Sequence, residues 1–286
     1  MYELLNTYRG NFMSIVKLML FEYRRIWKLY LALAIGILVV QLLSIWYGSY
    51  QIASIYMENA RISGRSYLQI AQEYGVSFFQ PFHGFPVIAS IMISIAALLL
   101  YSCLIWYRDW VGKYAMAQRL FTLPITRSSL FSSKLFTIFS LVLGLIVLQF
   151  FILLAGIGLV YLTVPSEFLQ TGDFSIRTII AFNPFLSVLL PSTFTNFLLT
   201  YGAGFTFLTV LFAMILLERS FRVKGVFLGV IFASWSIALN GFGTYLSVRL
   251  HLFEREVLFI LALTLVLTII FSTLLSLFLL KRKVLV

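Results

Sequence analysis

Six long apolar runs constrain what this chain can fold into more than any other feature. A helix needs roughly 20 mostly apolar residues to cross the hydrocarbon core of a bilayer. Six segments reach that length, with predicted boundaries at 29–49, 84–107, 133–162, 195–217, 226–248 and 257–280. The composition agrees, because 61% of the 286 residues are hydrophobic and only 11% are charged, against about 25% charged in soluble domains. We therefore expect an all-α integral membrane protein that forms one transmembrane domain over residues 1–286.

A seventh apolar stretch, residues 174–192, is not expected to cross the membrane. It contains Arg177 and is interrupted by Asn183-Pro184 and by Pro191. Broken backbone that faces lipid would leave polar groups unsatisfied, so this stretch must lean on protein or water. We expect helical pieces at the outer surface or a re-entrant segment.

The distribution of basic residues predicts the orientation. With the N-terminus inside, the inner segments contain 16 of the 21 lysines and arginines, and the outer segments contain 5. Cytoplasmic segments are enriched in Lys and Arg, so both termini are expected in the cytoplasm, with the chain crossing the cell membrane several times. The net charge of +11 is then a result of topology, and no nucleic-acid partner is expected.

Residues 11–28 precede the first predicted span and have an amphipathic pattern. Their apolar residues recur every three to four positions, with Lys17, Arg24, Arg25 and Lys28 among them. This pattern favours an interfacial helix whose basic residues lie near the headgroups of membrane lipid. A simple inward extension of the first span is the alternative.

The polar residues inside the predicted spans do not form a catalytic or metal-binding pattern. Gln41, Gln149 and Asn240 are expected to make hydrogen bonds between helices. Ion-coupled transporters usually hold ionisable residues at membrane depth, and here such residues occur only near span ends. His83 and Cys103 have no partner at metal-ligand spacing. We expect no catalytic residues and no metal site, and any energy source is expected outside this chain.

Small residues recur every fourth position at the start of the fifth predicted span, at Gly225, Gly229 and Ala233. This spacing lets two helices approach closely. The neighbouring helix could belong to this chain or to another subunit.

The longest inner loop, residues 108–132, contains the most distinctive local pattern. Residues 112–122 read as a short helix that Pro124 ends, and Thr126 or Ser128 can cap the following helix. The short helix would present apolar side chains and two cations that suit either a groove on another protein or the lipid surface. These side chains are Lys113, Tyr114, Met116, Arg119, Leu120 and Phe121.

The run "YRDWVGKYAMAQRLFTLPITRSSLFSSKLF" resembles the junction between the second and third spans of ABC-2-type transporter permeases. That family has an aromatic-basic exit from span two, a short coupling helix, a Leu-Pro step, a Ser/Thr-Arg step and a Lys that enters span three. In this chain the exit is Tyr107-Arg108-Asp109 and the coupling helix is 112–122. The remaining positions are a structural hinge at Leu123, Pro124, Thr126 and Arg127, and the lysine, Lys134.

The resemblance implies a membrane permease subunit of an ABC transporter, driven by a separate ABC ATPase subunit that docks on the coupling helix. ATP and Mg²⁺ would bind that partner, and this chain would have no cofactor; it lacks the G-x-x-x-x-G-K-[ST] phosphate-binding run. A second permease, identical or paralogous, would complete the assembly. Lys113, Arg119 and Arg127 would steer the ATPase into place.

The few fixed charges in the spans suit export of a hydrophobic or amphipathic compound, such as a peptide or antibiotic. One alternative function is a membrane scaffold or sensor subunit whose inner helix recruits a regulator. Another is a membrane-embedded lipid-modifying enzyme, which would need a cluster of ionisable residues at one depth. Asp109, Glu218 and Arg219 lie at inner span ends, and we interpret them as anchors at the membrane rim.

Overall fold

The structure is a computed structural model that describes residues 2–74, 79–110, 126–169, 175–250 and 253–282. These ranges are helical with short connections and contain no strand, which confirms the predicted all-α class. A 3-10 helix, Gln80–His83, precedes α3. The α-helices in chain order are α1 Tyr2–Ser63, α2 Tyr67–Tyr74, α3 Phe85–Trp110, α4 Arg127–Thr163, α5 Ser166–Leu169, α6 Ile176–Phe182, α7 Pro184–Leu189, α8 Phe194–Phe221, α9 Val223–Arg249 and α10 Glu254–Arg282.

Six of the helical segments are long and apolar enough to cross a membrane, as predicted. Within the described ranges they are Ser14–Ser63, Gln80–Trp110, Arg127–Thr163, Phe194–Phe221, Val223–Leu246 and Arg255–Arg282. The chain is therefore a multi-pass membrane protein by the length and composition of its helices. Which membrane it occupies, and which ends of its helices face the cytoplasm, remain predictions from charge.

Helix α1 differs from the prediction at both of its ends. It runs without a break from Tyr2 to Ser63, so a separate interfacial helix over 11–28 is not confirmed. It also continues past the predicted end of the span at 49, because residues 50–63 contain no Pro or Gly that would stop a helix. Gly64 then adopts a left-handed φ of 64°, and the Arg65 N–H donates to the Ala60 carbonyl at 3.2 Å, which closes the helix end.

The rejected seventh span is broken where the sequence predicted. Ser175 caps α6 by accepting a hydrogen bond from the Thr178 N–H. Asn183 is fully buried and caps α7, because its Oδ1 accepts from the N–H groups of Phe185 and Leu186 at 2.9 and 3.1 Å. Its Nδ2 donates to the Phe82 carbonyl at 3.0 Å. Two short capped helices therefore replace a continuous crossing.

The chain divides into two compact units. Unit one comprises residues 1–26, 98–140 and 193–286, and unit two comprises residues 27–97 and 141–192. The prediction of one transmembrane domain stays a prediction. Unit two has an apolar core that includes Ile45, Phe82, Leu153 and Phe168.

A pair of glutamines is buried within unit two. The Gln149 Nε2 donates to the Gln41 Oε1 at 2.9 Å, and the Gln41 Nε2 donates back to the Gln149 Oε1 at 3.1 Å. The Gln41 Nε2 also donates to the Ser90 hydroxyl at 2.7 Å. In unit one, Asn240 donates to the Thr268 hydroxyl at 3.1 Å. These contacts confirm the predicted hydrogen bonds between helices.

Candidate functional site: a buried charge cluster on α1, α3 and α4

Five charged side chains meet within unit one, and we call them the charge cluster. Glu22 and Arg25 lie on α1, Arg108 and Asp109 on α3, and Lys134 on α4. The two carboxylates and the lysine are buried. The side chains of Arg25 and Arg108 are 22% and 31% exposed. The cluster joins three helices that are far apart in sequence.

Lys134 is the centre of the charge cluster and has no exposed surface. Its Nζ donates to the Glu22 Oε1 at 3.0 Å, to the Ile105 carbonyl at 2.8 Å and to the Asp109 Oδ2. A lysine ammonium has three donors, so each one has an acceptor. The Nζ also lies 5.1 Å from the centroid of the Trp106 ring, within the range of a cation–π interaction.

The two arginines complete the pairing of the carboxylates. The Arg108 Nη2 donates to the Glu22 Oε2 at 2.6 Å. The Arg25 Nη1 donates to the Asp109 Oδ1 at 2.9 Å and lies 3.8 Å from the Glu22 Oε2. Three cations thus face two carboxylates, and the charge cluster has a formal net charge of +1.

Local helix preferences do not explain where the acids lie. Asp109 is in the last turn of α3, where the helix dipole disfavours a negative charge. Its partners are instead residues on α1 and α4. Removing one partner of a buried ion pair typically costs about 3–5 kcal/mol. The charge cluster therefore connects the three helices, and removal of one of its buried members should destabilise that connection.

Aromatic rings line the side of the charge cluster that faces α8. Trp106 stacks on Trp110 with ring centroids 5.7 Å apart and meets the edge of Phe212 at 5.4 Å. Phe131, on α4, meets Phe212 at 5.8 Å. These rings lower the local dielectric constant, and a lower dielectric constant strengthens interactions between charges.

A second polar contact joins the end of α3 to α8. The Tyr107 hydroxyl donates to the Glu218 carboxylate. The Arg219 guanidinium carbon lies 4.6 Å from the centroid of the Tyr107 ring and 5.2 Å from that of Trp110. Asp109 is not part of this contact, because it pairs with the charge cluster. In the part of the chain that the structure describes, no group of three potential metal ligands occurs.

Most of the predicted docking residues lie outside the described residues. These are Lys113, Tyr114, Met116, Arg119, Leu120 and Phe121 of the predicted coupling helix, and Leu123 and Pro124 of the predicted hinge. Thr126 immediately precedes α4 and caps it, because its Oγ1 accepts from the Ser129 N–H at 3.4 Å. Arg127 begins α4 and donates to the Leu280 carbonyl near the end of α10.

The predicted small-residue face lies against another helix of the same chain. A Cβ added at Gly225 would overlap the Leu217 carbonyl oxygen of α8, and a Cβ at Gly229 would lie 3.5 Å from the Met214 Cα. Of these two glycines, Gly225 is therefore the one at which a side chain cannot fit. Ala233 instead lines a groove.

That groove is formed by α8, α9 and α10 and has a volume of about 680 Å³. Its lining is mainly apolar, with Thr206 from α8 and Ser236, Asn240 and Thr244 from α9. The three α9 residues recur every fourth position and so form a stripe on one helix face. A molecule with an apolar body and a few hydrogen-bonding groups would match this lining.

Glu22 is the one member of the charge cluster that the sequence patterns do not single out. Glu22 lies in the amphipathic segment 11–28 with Arg25, and it is the only acid in the stretch from 17 to 28. Lys134 is the only charged residue within the predicted span 133–162, and a charge in such a place needs a partner. Pairing that lysine with the acids at other span ends would have indicated the cluster.

The fold and the site together define a multi-pass helical membrane protein in which the charge cluster connects three helices. No family model matches the chain, and neither a curated protein nor a solved structure matches it. Its function must therefore be inferred from its own residues.

Proposed function

We propose that this chain is the membrane-spanning permease subunit of an ATP-driven ABC transporter, and that it exports a hydrophobic or amphipathic compound such as a peptide or antibiotic. A separate ATPase subunit would bind ATP and Mg²⁺ and dock on the predicted coupling helix 112–122. A second permease, identical or paralogous, would complete the transporter. In this proposal the chain lies in the cell membrane with both termini in the cytoplasm and performs no catalysis itself.

The observation that carries the proposal is the position of the charge cluster along the chain. Residues 111–125 are preceded by Arg108 and Asp109 and followed, after the first turns of α4, by Lys134. All three residues belong to one cluster with Glu22 of α1. Because separating these buried charges is costly, a push on residues 111–125 would move the ends of α1, α3 and α4 together. A coupling element needs this property.

The resemblance to ABC-2-type permeases adds support from the same residues. Arg108 and Asp109 belong to the aromatic-basic exit of the family pattern, and Lys134 is its span-three lysine. In this chain these residues contact one another or share the carboxylate of Glu22. The contacts in the charge cluster therefore explain why charged residues occur on both sides of residues 111–125 in this chain.

The groove of α8, α9 and α10 supports an amphipathic cargo. Its apolar lining would accept a hydrophobic body, while Ser236, Asn240 and Thr244 offer neutral hydrogen-bonding groups. A groove without fixed charge would not favour a small ion over an amphipathic molecule.

The docking assignment is tested by affinity purification of the full-length chain from native membranes in a mild detergent. We expect a protein with the G-x-x-x-x-G-K-[ST] motif to co-purify in a near one-to-one ratio. Arg119→Glu or Leu120→Asp should release it. Arg61→Glu and Ile62→Asp make the same changes of charge and polarity at exposed positions near the C-terminal end of α1. These matched control variants should retain the ATPase.

An ATPase that remains bound to both coupling-helix variants would overturn the docking assignment. Release from the control variants as well would point to general destabilisation and would also contradict it. Recovery of a regulator without any ATPase would favour the scaffold or sensor function instead.

A further inference from the structure

We propose that Arg25 and Arg108 bind the phosphate of an anionic phospholipid, so that the charge cluster is also a lipid-headgroup site. This proposal does not depend on the transport function, because it concerns only the cluster and the membrane around it. It is carried by the charge balance of the cluster, the geometry of the two guanidinium groups and the apolar surface beside Arg108.

The charge cluster has one more positive charge than its two carboxylates can balance. Lys134 is shared by Glu22 and Asp109, and each carboxylate also has one arginine within 3 Å. Three cations with two carboxylates leave an excess of +1 in a site whose acids and lysine are buried. Arg25 and Arg108 are the partly exposed cations of the charge cluster, and an anion bound by them would balance the excess charge.

The guanidinium groups are placed to share one anion. The Arg108 Nη2 and the Arg25 Nη1 lie 2.6 and 3.8 Å from the same oxygen, the Glu22 Oε2. The two nitrogens are therefore separated by no more than the sum of those distances, a gap that the oxygens of one phosphate can bridge. Each guanidinium has five N–H donors, and planar guanidinium groups match phosphate oxygens well.

Donors remain for this second acceptor. The Arg108 Nη2 and the Arg25 Nη1 bond the carboxylates at 2.6 and 2.9 Å, and each guanidinium group has a second terminal nitrogen with its own N–H donors. Both arginine side chains are partly exposed, so a headgroup can reach the terminal nitrogens of their guanidinium groups. A lysine in either position would offer a single charged nitrogen rather than a planar fork.

An apolar surface beside Arg108 favours a phospholipid over a free phosphate. Leu104 and Leu100 lie one and two helical turns before Arg108 on α3, and they are 55% and 66% exposed. Residues four apart share a helix face, so this apolar stripe leads along the span to the guanidinium. A lipid that places its phosphate on the arginines can lay an acyl chain on the two leucines.

The predicted orientation places this site at the cytoplasmic leaflet, where anionic lipids attract basic residues. The contribution of such residues is about 1 kcal/mol for each cation near the membrane surface. Two arginines then correspond to a preference of about thirtyfold for an anionic headgroup over a zwitterionic one.

The test uses the purified full-length chain in a non-ionic detergent. Phosphatidylglycerol, phosphatidylcholine and inorganic phosphate are added in separate titrations, and native mass spectrometry measures bound lipid. The wild-type chain should retain phosphatidylglycerol about thirtyfold more strongly than phosphatidylcholine, and millimolar inorganic phosphate should not displace it. The double variant Arg25→Gln/Arg108→Gln should lose this preference.

The control is Arg61→Gln/Arg249→Gln, which removes the same charge from two exposed positions and should keep the preference. Circular dichroism checks folding, and Arg25→Gln alone, which leaves Asp109 paired with Lys134, replaces the double variant if the latter unfolds. That single variant should bind phosphatidylglycerol about fivefold more weakly. An unchanged preference in folded variants, an equal loss in the control, or displacement by inorganic phosphate would each overturn the lipid site.

Discussion

The two units of this protein bury polar groups among apolar helices in different ways. Unit two uses a neutral pair, Gln41 and Gln149, whose amides bond reciprocally. Unit one uses the charge cluster, in which Lys134 bridges Glu22 and Asp109. Neutral amides cost less to bury than charges, so the glutamine pair can hold helices together at a modest penalty.

This difference indicates which single side chain should contribute most to the stability of the protein. A buried amide that loses its partner leaves one unsatisfied group. The loss of Lys134 would leave two buried carboxylates and a backbone carbonyl without their shared donor. We therefore expect helices that are joined by the charge cluster to separate less readily than helices joined by neutral polar pairs.

The largest effect is expected from Lys134→Met, which keeps the apolar stem and removes the charge. Because Glu22 and Asp109 then lose their buried cation and keep only the partly exposed arginines, the free energy of unfolding should fall by about 3–5 kcal/mol. Titration with sodium dodecyl sulfate in mixed micelles, followed by circular dichroism, measures this change. Lys28→Met, at an exposed position on α1, is the control. A loss below about 1 kcal/mol would remove the distinction between the two units.

The second prediction concerns the glutamine pair. Gln149→Leu should lower stability by about 1–2 kcal/mol, because the Gln41 amide loses its reciprocal partner. The double variant Gln41→Leu/Gln149→Leu should recover most of that loss, since no unpaired amide remains. The same unfolding titration gives the double-mutant cycle. Strict additivity of the two substitutions would contradict the reciprocal bond.

A smaller effect is expected at Asn240, which is only partly buried. Asn240→Leu removes one hydrogen bond to Thr268 and should cost about 0.6 kcal/mol, the average for such bonds in membrane helices. Thr268→Val removes the same bond from the other side and should cost a similar amount. A cost as large as that of Lys134→Met would show that neutral and charged joints do not differ here.

The smallest effect is expected at the exposed pair Arg61 and Glu58, whose nitrogen and oxygen lie 3.1 Å apart. Arg61→Ala should change stability by no more than about 0.5 kcal/mol, because water screens the pair. Added salt should remove this small contribution. The buried charge cluster should respond much less to 1 M salt, and an equal response at both sites would argue against its burial.

Much of the fold could be predicted because a helix that crosses a membrane needs a long apolar run, and such a run is visible in the sequence. The six spans were predicted from apolar runs that are too long to be exposed to water. The break at Asn183-Pro184 was predicted because proline lacks an N–H and clashes with the preceding turn of a helix. The end of α1 could not be placed, since residues 50–63 are polar enough for a loop and equally able to form helix. Only Gly64 marks the end, and a single glycine is a weak indication.

The site was harder to predict because its parts are distant in sequence. The resemblance drew attention to Arg108, Asp109 and Lys134, but the pattern itself does not show that they touch. Glu22 lies 112 residues from Lys134, and nothing local to either residue requires their contact. The pairing becomes visible only when helix packing brings the ends of α1, α3 and α4 together.

If the chain is the proposed permease, the charge cluster should transmit ATP-driven motion from the proposed ATPase subunit to the helices. Cys103, the only cysteine of the chain, lies on α3 and is partly buried, so its rate of alkylation by a small maleimide reports on that helix. In the purified complex, ATP with vanadate should change this rate for the wild-type chain. In Lys134→Met the ATPase should stay bound while the rate no longer responds to nucleotide. An unaltered nucleotide response in that variant would contradict the account.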